Sequence, residues 1–119
     1  MDLGRFELSL NVADLERSVK FYERLGFTAA GGDPTEGWRV MTHGNCRLGL
    51  YQGHLAADTL TFRGGDVFAL ARELEGRGLT LESGPEVEID GSAGAVLRDP
   101  DGNSIYLNTH PDETGSGPG

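Results

Sequence analysis

Residues 7–27 read ELSLNVADLERSVKFYERLGF, and residues 59–79 read TLTFRGGDVFALARELEGRGL. Sliding the first stretch forward by 52 positions lays it on the second without a gap. Leu8 then falls on Leu60, Leu10 on Phe62, Asp14 on Asp66, Leu15 on Val67, Val19 on Ala71, Tyr22 on Leu74 and Gly26 on Gly78. Self-similarity at a fixed spacing is the mark of a duplicated architecture, so the chain is read as two related units.

Each unit opens on alternation. Phe6, Leu8, Leu10 and Val12 share one side, and Glu7, Ser9 and Asn11 share the other, which predicts a strand with one buried face. Asp14 and Asp66 follow, each suited to accept from the free N–H groups of a helix start. Leu15, Val19, Tyr22 and Leu25 recur at helical spacing, as do Val67, Leu70, Ala71 and Leu74. Gly26, and Gly76 with Gly78, close the helices. Strands are then expected at Trp38–His43 and Cys46–Tyr51 in the first unit. The second has Leu79–Glu82, Glu86–Ile89, Ala93–Arg98 and Ser104–Asn108, the last two joined by the DPDG turn. The stretch Ala29–Gly37 fits either loop or a weak strand. Each unit therefore reads β-α-β-β-β.

The chain of 119 residues has the length of one domain. A net charge of −9 argues against nucleic acid, which requires basic patches; it suits solubility, or a cationic ligand. No apolar run is long enough to span a membrane. The opening MDLGRFEL lacks the basic-then-apolar layout of a signal peptide, so the expected location is cytoplasmic. Cys46, the single cysteine, excludes an internal disulfide, and its place beside Leu48 and Leu50 points to the core.

Two stretches carry a family resemblance. NVADLERSVKFYERLGF resembles the opening V-x-D-L-x-x-S-x-x-F-Y-x-x-LGF, and DPDGNSIYL the closing DPDGN-x-I-E-L, of the glyoxalase / bleomycin-resistance / extradiol-dioxygenase superfamily, the vicinal oxygen chelate proteins. The resemblance spans about Phe6 to Asn108. It implies an α+β fold of two tandem βαβββ modules forming a curled mixed sheet around a cleft. The expected layout is one domain over residues 1–110, with modules at about 5–51 and 58–108 and a flexible tail over 111–119. It also implies a homodimer. In the metal-dependent members a divalent ion, held by His or Glu from the first and last strand of each module, acts on the substrate as a Lewis acid.

Carried onto this chain, the four ligand positions hold Glu7, Gly49, Thr59 and Tyr106. A shift of one residue puts Asp58 at the third. Glycine offers no side chain, and threonine and neutral tyrosine are poor ligands beside imidazole and carboxylate. No bound metal or other cofactor is expected on this donor set, although two carboxylates would leave a divalent ion open.

Alternation places Glu7, Ser9, Asn11, Arg47 and Tyr51 of the first module on the cleft face. Thr59, Thr61, Arg63, Tyr106 and Asn108 of the second join them. So polar a face is hydrated or holds a polar ligand. Glu7 is either a general base, with Tyr106 as its catalytic companion, or the partner of Arg47 or Arg63 in a salt bridge. The two arginines could alternatively clamp a carboxylate or phosphate. Trp38 and Met41 are read as an apolar wall for a flat ligand, or as packing. His43, His54 and His110 show no ligand spacing and read as surface residues. Two functions stay open: a metal-free protein binding a small organic molecule, similar to the bleomycin-resistance branch, and a glyoxalase-like lyase, isomerase or dioxygenase working through Glu7.

Overall fold

A computed structural model describes residues 1–89 and 91–109. The tail expected over 111–119, and His110, lie outside the described residues. Two compact units divide the chain: Glu7–Thr59 forms one, and Met1–Phe6 with the chain from Leu60 onward forms the other. The elements run β1 (Gly4–Asn11), α1 (Leu15–Leu25), β2 (Thr28–Asp33), a 3-10 turn (Pro34–Glu36), β3 (Trp38–His43) and β4 (Cys46–Tyr51). They continue with β5 (Thr59–Gly64), α2 (Val67–Gly76), β6 (Ser83–Val87), β7 (Ala93–Arg98) and β8 (Ser104–Thr109). The architecture is α+β, with the order β-α-β-β-β met twice.

In the Glu7–Thr59 unit the strands lie in the order β2-β3-β4-β1. β1 runs parallel to β4, pairing Leu8 with Leu48, Ser9 with Gly49 and Asn11 with Tyr51. β3 runs antiparallel to β4, pairing Trp38 with Tyr51 and Thr42 with Arg47. A parallel pair needs a crossover, and α1 supplies it. Its start is capped by Asp14, whose carboxylate accepts from the Arg17 N–H; Gly26, at φ 113°, ends it in the left-handed conformation. The alternation of β1 sends Leu8 and Leu10 toward α1. There they pack with buried Leu15, Met41, Leu48 and Leu50, and with Val19, Tyr22 and Phe27. The opposite face is left to Glu7, Ser9, Arg47, Gly49, Tyr51 and Trp38.

The second unit orders its strands β5-β8-β7-β6. α2 is capped by Asp66, which accepts from the Ala69 N–H. Val67, Leu70 and Leu74 of α2 pack on Ala95, Leu97 and Leu107, with Phe62, Leu81 and Ile105 at the margin. β7 and β8 are antiparallel, pairing Gly94 with Asn108 and Val96 with Tyr106. The turn between them is held by Asp99, which accepts from the backbone N–H groups of Asp101 and Asn103 and from the Asn103 side chain at 2.7 Å.

The structure decides one open reading and corrects two expectations. Where loop or a weak strand was expected, Thr28–Asp33 is a strand, paired antiparallel with β3. The separate strands expected at Leu79–Glu82 and Glu86–Ile89 give way to one, Ser83–Val87. Its register against β7 is interrupted between Ser83 and Glu86, where Pro85 has no N–H to donate. Cys46 is exposed rather than in the core, because it is the first residue of β4 and lies beyond the cover of α1. Among the described residues no helix is long and apolar enough to cross a membrane.

Candidate functional site

The polar face of the Glu7–Thr59 unit is organised around one carboxylate. Glu7 is 1% exposed. Its Oε2 accepts from Ser9 Oγ at 2.7 Å and from the Tyr51 hydroxyl at 2.8 Å. Its Oε1 faces Arg47 Nε at 3.5 Å. A buried charge is tolerated only when paired and hydrogen-bonded, and this one has both kinds of partner. The arginine side chain is itself 44% exposed, so one end of the pair reaches solvent.

Gly49 makes this arrangement possible. It stands between Arg47 and Tyr51 on β4 and pairs with Ser9 across the ladder. A Cβ added there would lie 2.5 Å from Tyr51 Cε2 and closer still to the Glu7 carboxylate. The space a side chain would need is taken by Glu7 and by the Tyr51 ring, which leans back over the glycine. Trp38, opposite Tyr51 on β3, holds its ring parallel to the tyrosine within 6°, with centroids 6.1 Å apart. His54 meets Tyr51 edge-on at 6.3 Å, and its Nε2 is 2.6 Å from the Glu36 carbonyl oxygen, which requires the proton on that nitrogen.

The second unit builds its polar face around an amide. Asn108, 6% exposed, donates through Nδ2 to the Tyr106 hydroxyl at 3.1 Å, to the Ala93 carbonyl at 3.2 Å and to Ser92 Oγ at 3.3 Å. Its Oδ1 accepts from Arg63 Nη1 at 3.0 Å. Tyr106 lies over Gly94, where an added Cβ would come within 2.6 Å of the hydroxyl.

Of the residues singled out from the sequence, Glu7, Ser9, Arg47, Tyr51 and Trp38 come together in one patch. Asn11 adjoins it at the Tyr51 register position and is exposed. Arg63, Tyr106 and Asn108 form the other patch. Within its own unit Glu7 meets Tyr51 and Arg47, while Arg63 meets Asn108. Thr59 Oγ1 donates to the Ala57 carbonyl at 3.0 Å, and Thr61 is buried. Met41 is corrected: fully buried, it belongs to the core under α1, because three residues along a strand from Trp38 it points to the opposite face. Gly49, which the sequence placed only at a ligand position, is the residue whose missing side chain makes room for this network, and His54, read as a surface residue, is exposed. The signal for Gly49 was a glycine inside a strand, two positions from a tyrosine on the same face.

The donor set does not fit a divalent metal. The Glu7 carboxylate is already engaged by two hydroxyls and a guanidinium, Gly49 has no side chain, and the Thr59 hydroxyl is turned to a backbone carbonyl. Asp58, the alternative third position, accepts from the Asn11 backbone N–H at 2.8 Å. Among the described residues no group of three or more His, Cys, Asp or Glu side chains could hold an ion.

The paired βαβββ order and a polar face backed by a helix define a class, and the sequence of the family confirms it. Residues 4–107 match the model of the Glyoxalase/Bleomycin resistance protein/Dioxygenase superfamily, and the chain belongs to that family. The fold is similar to that of a superfamily member from Vibrio splendidus 12B01 (TM-score 0.65, 19% identity, 88% of this chain and 97% of that one). It is similar also to a protein from Legionella pneumophila described as an NAD-dependent benzaldehyde dehydrogenase (TM-score 0.75, 16% identity, 88% and 98%). A third likeness is to a methylmalonyl-CoA epimerase variant from Streptomyces coelicolor in complex with 2-nitronate-propionyl-CoA (TM-score 0.62, 20% identity, 94% and 98%). At such identities the likeness is one of fold. No curated protein matches the sequence.

Proposed function

We propose that the protein binds a small organic molecule without a metal ion, on the polar sheet face that carries Trp38, Arg47 and Tyr51. The observation that carries this is the state of Glu7. A general base or a metal ligand needs a lone pair free to reach substrate or ion. This carboxylate is buried and engaged by Ser9, Tyr51 and Arg47, with the Tyr51 ring closing the space over Gly49. What remains open on the face is an aromatic pair and a partly exposed guanidinium, features of recognition rather than proton transfer. The Streptomyces epimerase variant of similar fold is in complex with 2-nitronate-propionyl-CoA, which supports a small-molecule ligand here. We read the working form as a homodimer and its location as cytoplasmic. Exposed Phe21 and Leu25, one turn apart on α1, support the first.

A thermal-shift screen of flat organic compounds, run with chelator present, tests the proposal. A ligand at about 100 times its Kd stabilises the native state by about 2.7 kcal/mol, a shift of several degrees in Tm. The expected result is such a shift, with the compound recovered unchanged by mass spectrometry. Conversion of the compound, or a shift seen only after a divalent metal is added, would favour the enzyme reading through Glu7.

A further inference from the structure

We infer that the face bearing Trp38, Tyr51 and Arg47 takes a planar conjugated carboxylate, with the carboxylate on the outer nitrogens of Arg47 and the flat remainder against the two parallel rings. This deepens the proposed function and rests on it.

Two arginines on the polar faces are held differently. Arg63 commits a terminal nitrogen to Asn108. Arg47 meets Glu7 through Nε at 3.5 Å, and its side chain is 44% exposed. A guanidinium anchored at Nε still offers its outer edge, two parallel N–H donors matched to a carboxylate. The anchor also holds the side chain in place before a ligand arrives, which lowers the cost of binding. The buried Glu7 carboxylate takes the inner edge, so a second carboxylate meets the opposite side of the group.

Register sets the scale of the ligand. Arg47 and Tyr51 lie on one face of β4, four residues and about 13 Å of strand apart. The Tyr51 ring leans over Gly49 toward Arg47, shortening that span, and Gly49 itself puts nothing in the way. Trp38 adds a second ring parallel to that of Tyr51, with centroids 6.1 Å apart. A flat ring system stacks on such a surface without distorting it. The net charge of −9 favours cations at long range, but the charge this face exposes is the arginine.

Trp38 is the only tryptophan, so the protein gives a single indole N–H resonance beside the site. We would titrate nitrogen-15-labelled protein with trans-cinnamate, with trans-cinnamamide, which keeps the skeleton and removes the charge, and with 3-cyclohexylpropanoate, which keeps the charge and removes the flat ring. Cinnamate is expected to move the indole resonance saturably, with the other two binding about tenfold weaker. Arg47→Gln is expected to bring cinnamate and cinnamamide within about twofold of each other. Should that variant fail to fold, Arg47→Lys, which keeps the cation but not the fork, is expected to lose most of the preference. Equal affinity for cinnamate and cinnamamide, an unchanged preference in the variant, or an indole resonance unmoved by cinnamate would overturn the inference. If cinnamate is silent while another compound in the thermal-shift screen binds, the inference falls and the proposed function stands.

Discussion

At the scale of single residues, the decisive position is the glycine at 49. Its backbone is ordinary extended strand, so the restriction comes from what fills the space above it: the Glu7 carboxylate and the edge of the Tyr51 ring. Neither is free to retreat, since each hydrogen-bonds the other and the carboxylate also holds Ser9. Gly49→Ala is therefore expected to lower stability by about 1–3 kcal/mol, as overpacking does in a filled interior. Urea denaturation measures it, and an unchanged midpoint would show that the network yields easily. The sequence carried half of this. Alternation put Glu7, Ser9, Arg47 and Tyr51 on one face, and a bridge from Glu7 to Arg47 was one of its expected partners. It could not say that Tyr51 meets the carboxylate, because ladder register decides that. Met41 was read with Trp38 although the two differ by an odd number of positions, and strand alternation separates them.

Secondary-structure elements were legible where periodicity was clean and obscure where glycine and proline carried the chain. β1, β5 and both helices follow from alternation, an aspartate and helical spacing. β2 reads TAAGGD, with Thr28 its one β-branched residue and no aromatic to signal a strand, and it forms because β3 offers a partner. β6 contains Gly84-Pro85, a pair that reads as a turn, and it sits between two stretches that look more like strands. The Asp99 turn is the best specified connection. The Asn103 side chain and then its backbone N–H hold the Asp99 carboxyl below its ordinary value of 3.8. A carboxylate depressed by folding contributes stability that is full above its unfolded pKa and is lost as pH falls through the folded one. The turn should therefore weaken only below about pH 3.8. Carbon-13 shifts of the Asp99 carboxyl would show a midpoint under that value, and Asn103→Ala should raise it. A wild-type midpoint at or above 3.8 would contradict the hydrogen bonds described.

Across the whole molecule, one duplicated plan has been put to two uses. Each unit sets a helix against the apolar face of four strands and gathers polar groups on the other. The first unit centres that face on a buried carboxylate and the second on a buried amide. The duplication was visible in the sequence because helix and strand positions keep their apolar character at a fixed spacing. The polar centres diverged, so no repeat could reveal them. At the first of the four ligand positions stands Glu7, and Ser9, Tyr51 and Arg47 occupy its carboxylate.

The most direct test of this account is the metal content of the protein. Protein purified without chelator would be subjected to elemental analysis and then titrated calorimetrically with Ni, Zn, Mn and Fe(II). Far less than one metal per chain is predicted, and no binding tighter than about 1 mM, as expected of a lone buried carboxylate already bonded to Ser9, Tyr51 and Arg47. One equivalent of a divalent metal per chain, lost on Glu7→Ala, would contradict it.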